Sequence, residues 1–219
     1  VWFTAECADE KTFSTASLSL MTDSMHLGYL LDQIAEEIQG TVYPPGRRVQ
    51  LALACFCIVQ DHHHAIALSI DRSLIASAIV LTRPLYEATL KGIWISYCTT
   101  DETVERYASK KELPEINQLL ENLGKSALSP FIHKQLLNIR EKYWKSLSSF
   151  VHSGTNQVKR WVTPDGVSPQ YSEAEVKEIT NFTGFFAVIA ALERARLGSN
   201  IEAVEHLQLL LPENRSNEA

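Results

Sequence analysis

The stretch from Ser73 to Tyr97 is the most apolar window of the sequence, and Arg83, Pro84, Glu87 and Lys91 interrupt it. A membrane span would bury those three charges near its centre, at high cost. A strand is excluded by length, since Ala65–Leu81 alone is evenly apolar for longer than strands run. What remains is a pair of buried helices, and a buried helix needs other helices around it. Pro84 either kinks the run or opens its second helix at the first turn, because proline lacks an N–H and clashes with the preceding turn.

Helix signals repeat along the rest of the chain. Residues 23–39 place Met25, Leu27, Leu30, Leu31, Ile34, Ala35 and Ile38 on one stripe, closed by Gly40. Pro44-Pro45-Gly46 turns the chain into a helix expected from Arg47 to His64, with Val49, Leu53, Phe56, Cys57 and Val59 as its apolar face. Asp101 starts a short helix, Pro114 precedes another at 115–123, and Ser129-Pro130 reads as an N-cap and first-turn pair. The helix so opened is expected to run past Phe150 and to end at Gly154. A polar loop then spans 153–171, with Pro164-Asp165-Gly166 as its turn. Ser172 with Glu175, and Ser199 with Glu202, read as capping boxes for the last two helices. The sequence therefore predicts an all-α, single-domain bundle of about seven or eight helices.

With 219 residues the chain is long enough for one substantial core. The bundle is expected over 21–212, with an irregular extension at 1–20 and a frayed tail at 213–219. Met21 is the expected natural start. The first twenty residues carry Glu6, Asp9, Glu10 and Lys11 and no long apolar run, so no secretory signal is expected. Cys7, Cys55, Cys57 and Cys98 follow no disulfide-framework spacing, which fits a reducing cytoplasm. A net charge of −6 opposes broad attraction to nucleic acid while leaving room for a local basic site.

Arg83, Glu87 and Lys91 lie at i, i+4 and i+8 and so share one helix face. Charges there must pair or reach water. They read either as an ion pair orienting the helix junction or as a site opening onto a cleft, with Arg83 binding an anion or phosphate. His62, His63 and His64 point about 100° apart around a helix and cannot grip one metal together. Cys57 with His64, and Cys55 with His62, share faces but match no zinc spacing, so no metal is expected. His152 reads as a last-turn histidine favoured by the helix dipole or as a general acid–base, since imidazole titrates near neutrality. Beyond it, Lys159 and Arg160 precede Trp161, a pairing that suits a nucleotide and is also common on surfaces. Nucleotide-binding glycine loops and the serine-hydrolase elbow are missing, and no cofactor is expected.

The order His64-Ala65-Ile66, then Ser77-Ala78-x-x-Leu81-x-Arg83-Pro84-x-x-Glu87-Ala88 with Trp94, then Phe150-Val151-His152-Ser153-Gly154 resembles a group of bacterial helical proteins. These are similar in turn to the HEPN superfamily, helical bundles that include metal-independent ribonucleases of toxin–antitoxin and phage-defence systems. The resemblance covers roughly residues 45–160. It implies a homodimer acting on RNA, with Arg83 on the phosphate, His152 as acid or base and Glu87 orienting Arg83. Lys91, His64, Lys159 and Arg160 would supply further substrate contacts. Arg83 and His152 lie far apart in sequence, so such a site exists only if the fold joins them. Two other functions fit the same residues: a non-catalytic interaction module binding a partner protein, and a small-molecule pocket lined by Arg83 and Glu87. None of the three calls for a membrane.

Overall fold

The computed structural model describes residues 13–110 and 114–211, with side chains from residue 24 onward except those of 107, 108 and 110. The order is α1 (Phe13–Ile38), α2 (Arg47–Asp71), α3 (Ile75–Cys98), α4 (Asp101–Lys110), α5 (Ile116–Leu123), α6 (Pro130–Lys142), α7 (Trp144–Val151) and α8 (Thr155–Lys159). A two-stranded ribbon, β1 (Val162–Thr163) and β2 (Gly166–Val167), precedes α9 (Glu173–Leu197) and α10 (Ile201–Leu209). The all-α single-domain expectation holds, with ten helices among the described residues instead of seven or eight.

At the centre, α2 and α3 form an antiparallel hairpin, and α9 packs against both and against α1. The α2–α3 contact is close because Gly92 has no side chain. A Cβ there would meet the Phe56 ring at 2.6–3.0 Å. Phe56, Leu85, Leu90, Ile93 and Phe186 are fully buried along this seam. The start of α2 is capped from a distance: the Asp101 carboxylate accepts from the Arg48 amide at 2.7 Å. That carboxylate also sits where a Cβ on Gly46 would go, and Gly46 holds φ +146°, a conformation suited to glycine.

Several boundaries differ from the sequence reading. α2 does not stop at His64. It continues to Asp71, and the chain turns at Arg72-Ser73-Leu74 with Ser73 at φ 55°. No glycine or proline marks that turn, so punctuation gave no warning of it. α3 then passes unbroken through Pro84. The helix from Pro130 breaks at Tyr143, whose φ of −110° leaves the helical range, and α7 turns back across α3. Gly154 ends no helix itself: α7 stops at Val151, Ser153 takes the left-handed conformation and Gly154 caps α8. The expected loop at 153–171 contains α8 and the ribbon, which turns through Pro164-Asp165. The Ser172–Glu175 capping box is present, whereas the last helix is capped by Asn200, one residue later than expected. Residues 13–20, expected to be irregular, are the first turns of α1. Residues 1–12 and the 213–219 tail lie outside the described residues.

Cys57, placed with the apolar face from sequence, is exposed. α2 is apolar on both sides, so its inner face takes Val49, Phe56 and Val59 while Cys57 and Ile58 face out. By length and composition α2 is the one helix among the described residues that could cross a membrane, yet it packs against α1, α3, α4 and α9.

His63 is fully buried on α2, and neither ring nitrogen has a hydrogen-bond partner among the described residues. Burial, and to a lesser degree the neighbouring His64 charge, lowers its pKa to about 4. Unfolding restores a value near 6.5, so the unfolded chain binds the extra proton first. The stability conferred by neutral His63 is complete above about pH 6.5 and lost as the pH falls toward 4, a change on the order of 3 kcal/mol. His63→Leu should flatten the thermal-melting profile between those pH values relative to wild type. Parallel profiles would mean that His63 carries none of the acid sensitivity.

Candidate functional site

The α3 face bearing Arg83, Glu87 and Lys91 is half-buried, and its charges are joined through the central carboxylate. Arg83 Nε donates to Glu87 Oε1 at 2.8 Å, and Lys91 Nζ lies 3.5 Å from Glu87 Oε2. The ion-pair reading from sequence is therefore present. The pair does not exclude a site, because both residues also line an open pocket of about 260 Å³.

Val80, Pro84 and Val151 complete that pocket with His152. His152 reaches the pocket through local backbone geometry. The Gly154 amide donates to the Ser149 carbonyl at 2.6 Å, with Ser153 in the left-handed region. A Cβ on Gly154 would meet Ser149 Oγ at 2.5 Å, so only glycine allows the tight return. His152 itself is exposed, and its ring nitrogens bond to no protein group among the described residues. The fold thus brings together the three residues on which the sequence reading placed chemistry.

Arg83 is braced by Trp144, a residue that the sequence reading passed over. Its guanidinium carbon lies 4.4 Å from the centroid of the Trp144 ring, and that of Arg140 lies 4.8 Å from the same centroid. Trp144 in turn packs edge-on to Tyr86, whose hydroxyl donates to the Leu136 carbonyl at 3.1 Å. Arg140 lies in the last turn of α6 and Trp144 opens α7, so their meeting follows from the break at Tyr143 and not from a spacing along one helix.

The other candidates fall elsewhere. Lys91 joins the site only through Glu87. His64 is exposed on α2 and Lys159 on α8, and neither lines one of these pockets. Arg160 forms a close ion pair with Glu175 and lies over the Phe150 ring at 5.4 Å. It lines a separate pocket of about 400 Å³ on the other flank of α7, with Ile79, Thr82 and Phe182. Hydrogen bonds from the Ser172 amide and from Arg160 hold the Glu175 carboxyl below its usual range, against the opposing effect of burial. Among the described residues no three His, Cys, Asp or Glu side chains gather as metal ligands. Cys55 is half-buried, which raises its thiol pKa and disfavours a nucleophilic thiolate.

A family model described as a family of unknown function, DUF6988, matches residues 56–214, which contain the pocket and all three sequence motifs around it. No curated protein and no solved structure matches the chain. The match spans well over half of the sequence, and the chain belongs to the DUF6988 family.

Proposed function

We propose that this protein is a HEPN-like RNA-directed ribonuclease working without a metal ion, with the pocket between α3 and the end of α7 as its active site. The observation that carries this reading is the meeting of Arg83, Glu87 and His152 in one open pocket. Glu87 and Trp144 occupy Arg83 on its Nε and one face, which leaves its terminal N–H groups to donate to a phosphate. A free imidazole beside them supplies the proton acceptor.

On this reading an unprotonated nitrogen of His152 takes the proton of an RNA 2′-hydroxyl. The 2′-oxygen forms a bond to phosphorus, the bond to the 5′-oxygen breaks, and that oxygen takes a proton from water. Arg83 offsets the charge growing on the non-bridging oxygens. The products are a 2′,3′-cyclic phosphate and a 5′-hydroxyl, and DNA is inert for lack of the attacking group. Such work places the protein in the cytoplasm, and a toxin or phage-defence role would follow from cutting the host's own RNA.

Wild-type protein should cut end-labelled RNA in the presence of a chelator. His152→Ala should slow the cut by ~10²–10⁴-fold and Arg83→Gln by a comparable amount, with helicity checked by circular dichroism. Cleavage that His152→Ala leaves intact would sink the assignment of the base.

The outer face of α2 favours a second reading, the interaction module. Ile58 is 45% and Leu68 54% exposed, and Ala54 and Cys57 lie exposed between the same turns. A two-fold axis through this face would set Asp61 of one copy against His64 of the other, and Cys57 against Leu68. Light scattering should then give a dimer for wild type and a monomer for the Ile58→Glu, Leu68→Glu double variant. A wild-type monomer would leave that face without the partner proposed here.

A further inference from the structure

A larger open groove, of about 670 Å³, lies beside the candidate active site between α5, α6 and the start of α7. Its walls are held close by a glycine contact. A Cβ on Gly124 would meet the His133 ring at 2.8 Å, and His133 Nε2 lies 3.0 Å from the Leu120 carbonyl oxygen. Trp144 lines this groove too, so the indole that braces Arg83 at one site also braces Arg140 at the other.

The groove is lined by Lys125, Arg140 and Lys145 against Glu121 and Glu141. Residues 130–151 carry Lys134, Arg140, Lys142 and Lys145 against Glu141 alone, in a chain whose net charge is −6. Lys125 on the groove wall is neutralised by Glu121 at 2.6 Å. Arg140 has no carboxylate partner among the described residues, and its buried Nε has no hydrogen-bond acceptor. Arg83, on the other side of the same indole, is paired with Glu87. A guanidinium kept half-buried without an anion is costly unless a ligand supplies one.

We infer that Arg140 is a second phosphate-binding residue, and that the groove between α5, α6 and α7 holds the single-stranded RNA leading away from the phosphate at Arg83. This rests on the ribonuclease reading for the identity of the polymer. The two guanidinium carbons approach one ring, at 4.4 and 4.8 Å from its centroid, and so lie within about 10 Å of each other, a span that neighbouring phosphates of one strand can bridge. The exposed Lys145 ammonium lines the same wall and extends the cationic track. Proteins read RNA chiefly in single-stranded segments whose backbone can bend into a concave groove, and so the substrate class is a single strand.

The test uses the full-length protein and a fluorescein-labelled oligonucleotide with 2′-O-methyl groups throughout, which cannot be cut. Fluorescence anisotropy across a salt series should show Arg140→Ala weakening binding roughly tenfold and reducing the salt slope by about one. Lys145→Ala should act in the same direction more weakly, and Arg140→Lys should keep the slope while losing part of the affinity. Lys177→Ala, an exposed cation removed from the groove, is the charge-matched control and should bind as wild type does. Melting curves confirm that each variant is folded.

Arg140→Ala and Lys145→Ala variants binding as wild type would overturn the inference, whether or not RNA is cut. An acidic peptide that outcompetes the oligonucleotide in an Arg140-dependent way would overturn the RNA assignment in favour of a protein ligand. Arg140-dependent binding by a wild-type protein that cuts nothing would uphold the groove and remove the ribonuclease reading alone.

Discussion

The close approach of α2 to α3 at Gly92 and Phe56 sets the positions of the other helices. Because Gly92 has no side chain, the Phe56 ring of α2 packs directly on the α3 backbone, and any added atom there would separate the helices. α9 then lies along the pair, with Phe186 edge-on to Tyr86 at 5.7 Å. Tyr86 also touches Trp144, so one residue of α3 links the core aromatic cluster to the site. The order of dependence runs outward, from the hairpin to Tyr86, from Tyr86 to Trp144, and from Trp144 to the two arginines.

Polar groups along this path are held by specific contacts. Glu193 is buried on α9, and burial raises its carboxyl pKa against the opposing effect of Arg196, whose Nη1 lies 2.6 Å away. Tyr97 stands beside the pair with its phenol pushed up to about 12, chiefly by burial. Arg83 and Glu87 differ from this second pair in that the carboxylate is only half-buried and both residues line an open pocket. Arg196 and Glu193 tie α9 to α3, whereas the α3 pair faces water that a ligand can displace.

Much of the architecture was legible because helices advertise their faces and ends. The Ser172–Glu175 box and the Ser129-Pro130 start were read directly. The turn at Ser73 and the break at Tyr143 were not, since ordinary residues adopt unusual backbone angles there under tertiary packing. At the site, the spacing of Arg83 and Glu87 announced their pairing, as i, i+4 charges do. His152 was read from the sequence as a candidate acid–base at a helix end, but its meeting with Arg83 depends on how α7 packs against α3, which no local pattern encodes. Arg140 and Trp144 stand on successive helices, and the break at Tyr143 that sets them against each other carried no signal in the sequence.

The return of the chain at Gly154 bears on inheritance. His152 is set in its pocket by backbone alone, with the amide two residues on tied to Ser149 and no room for a methyl group at Gly154. No side chain grips the imidazole, so none need be retained by descent to keep it there. The contacts around the histidine can then change while the glycine cannot, and a side chain at Gly154 would displace His152 as surely as a change at His152 itself. The backbone turn and the imidazole therefore form one unit, in which a residue without a side chain sets where a side chain stands.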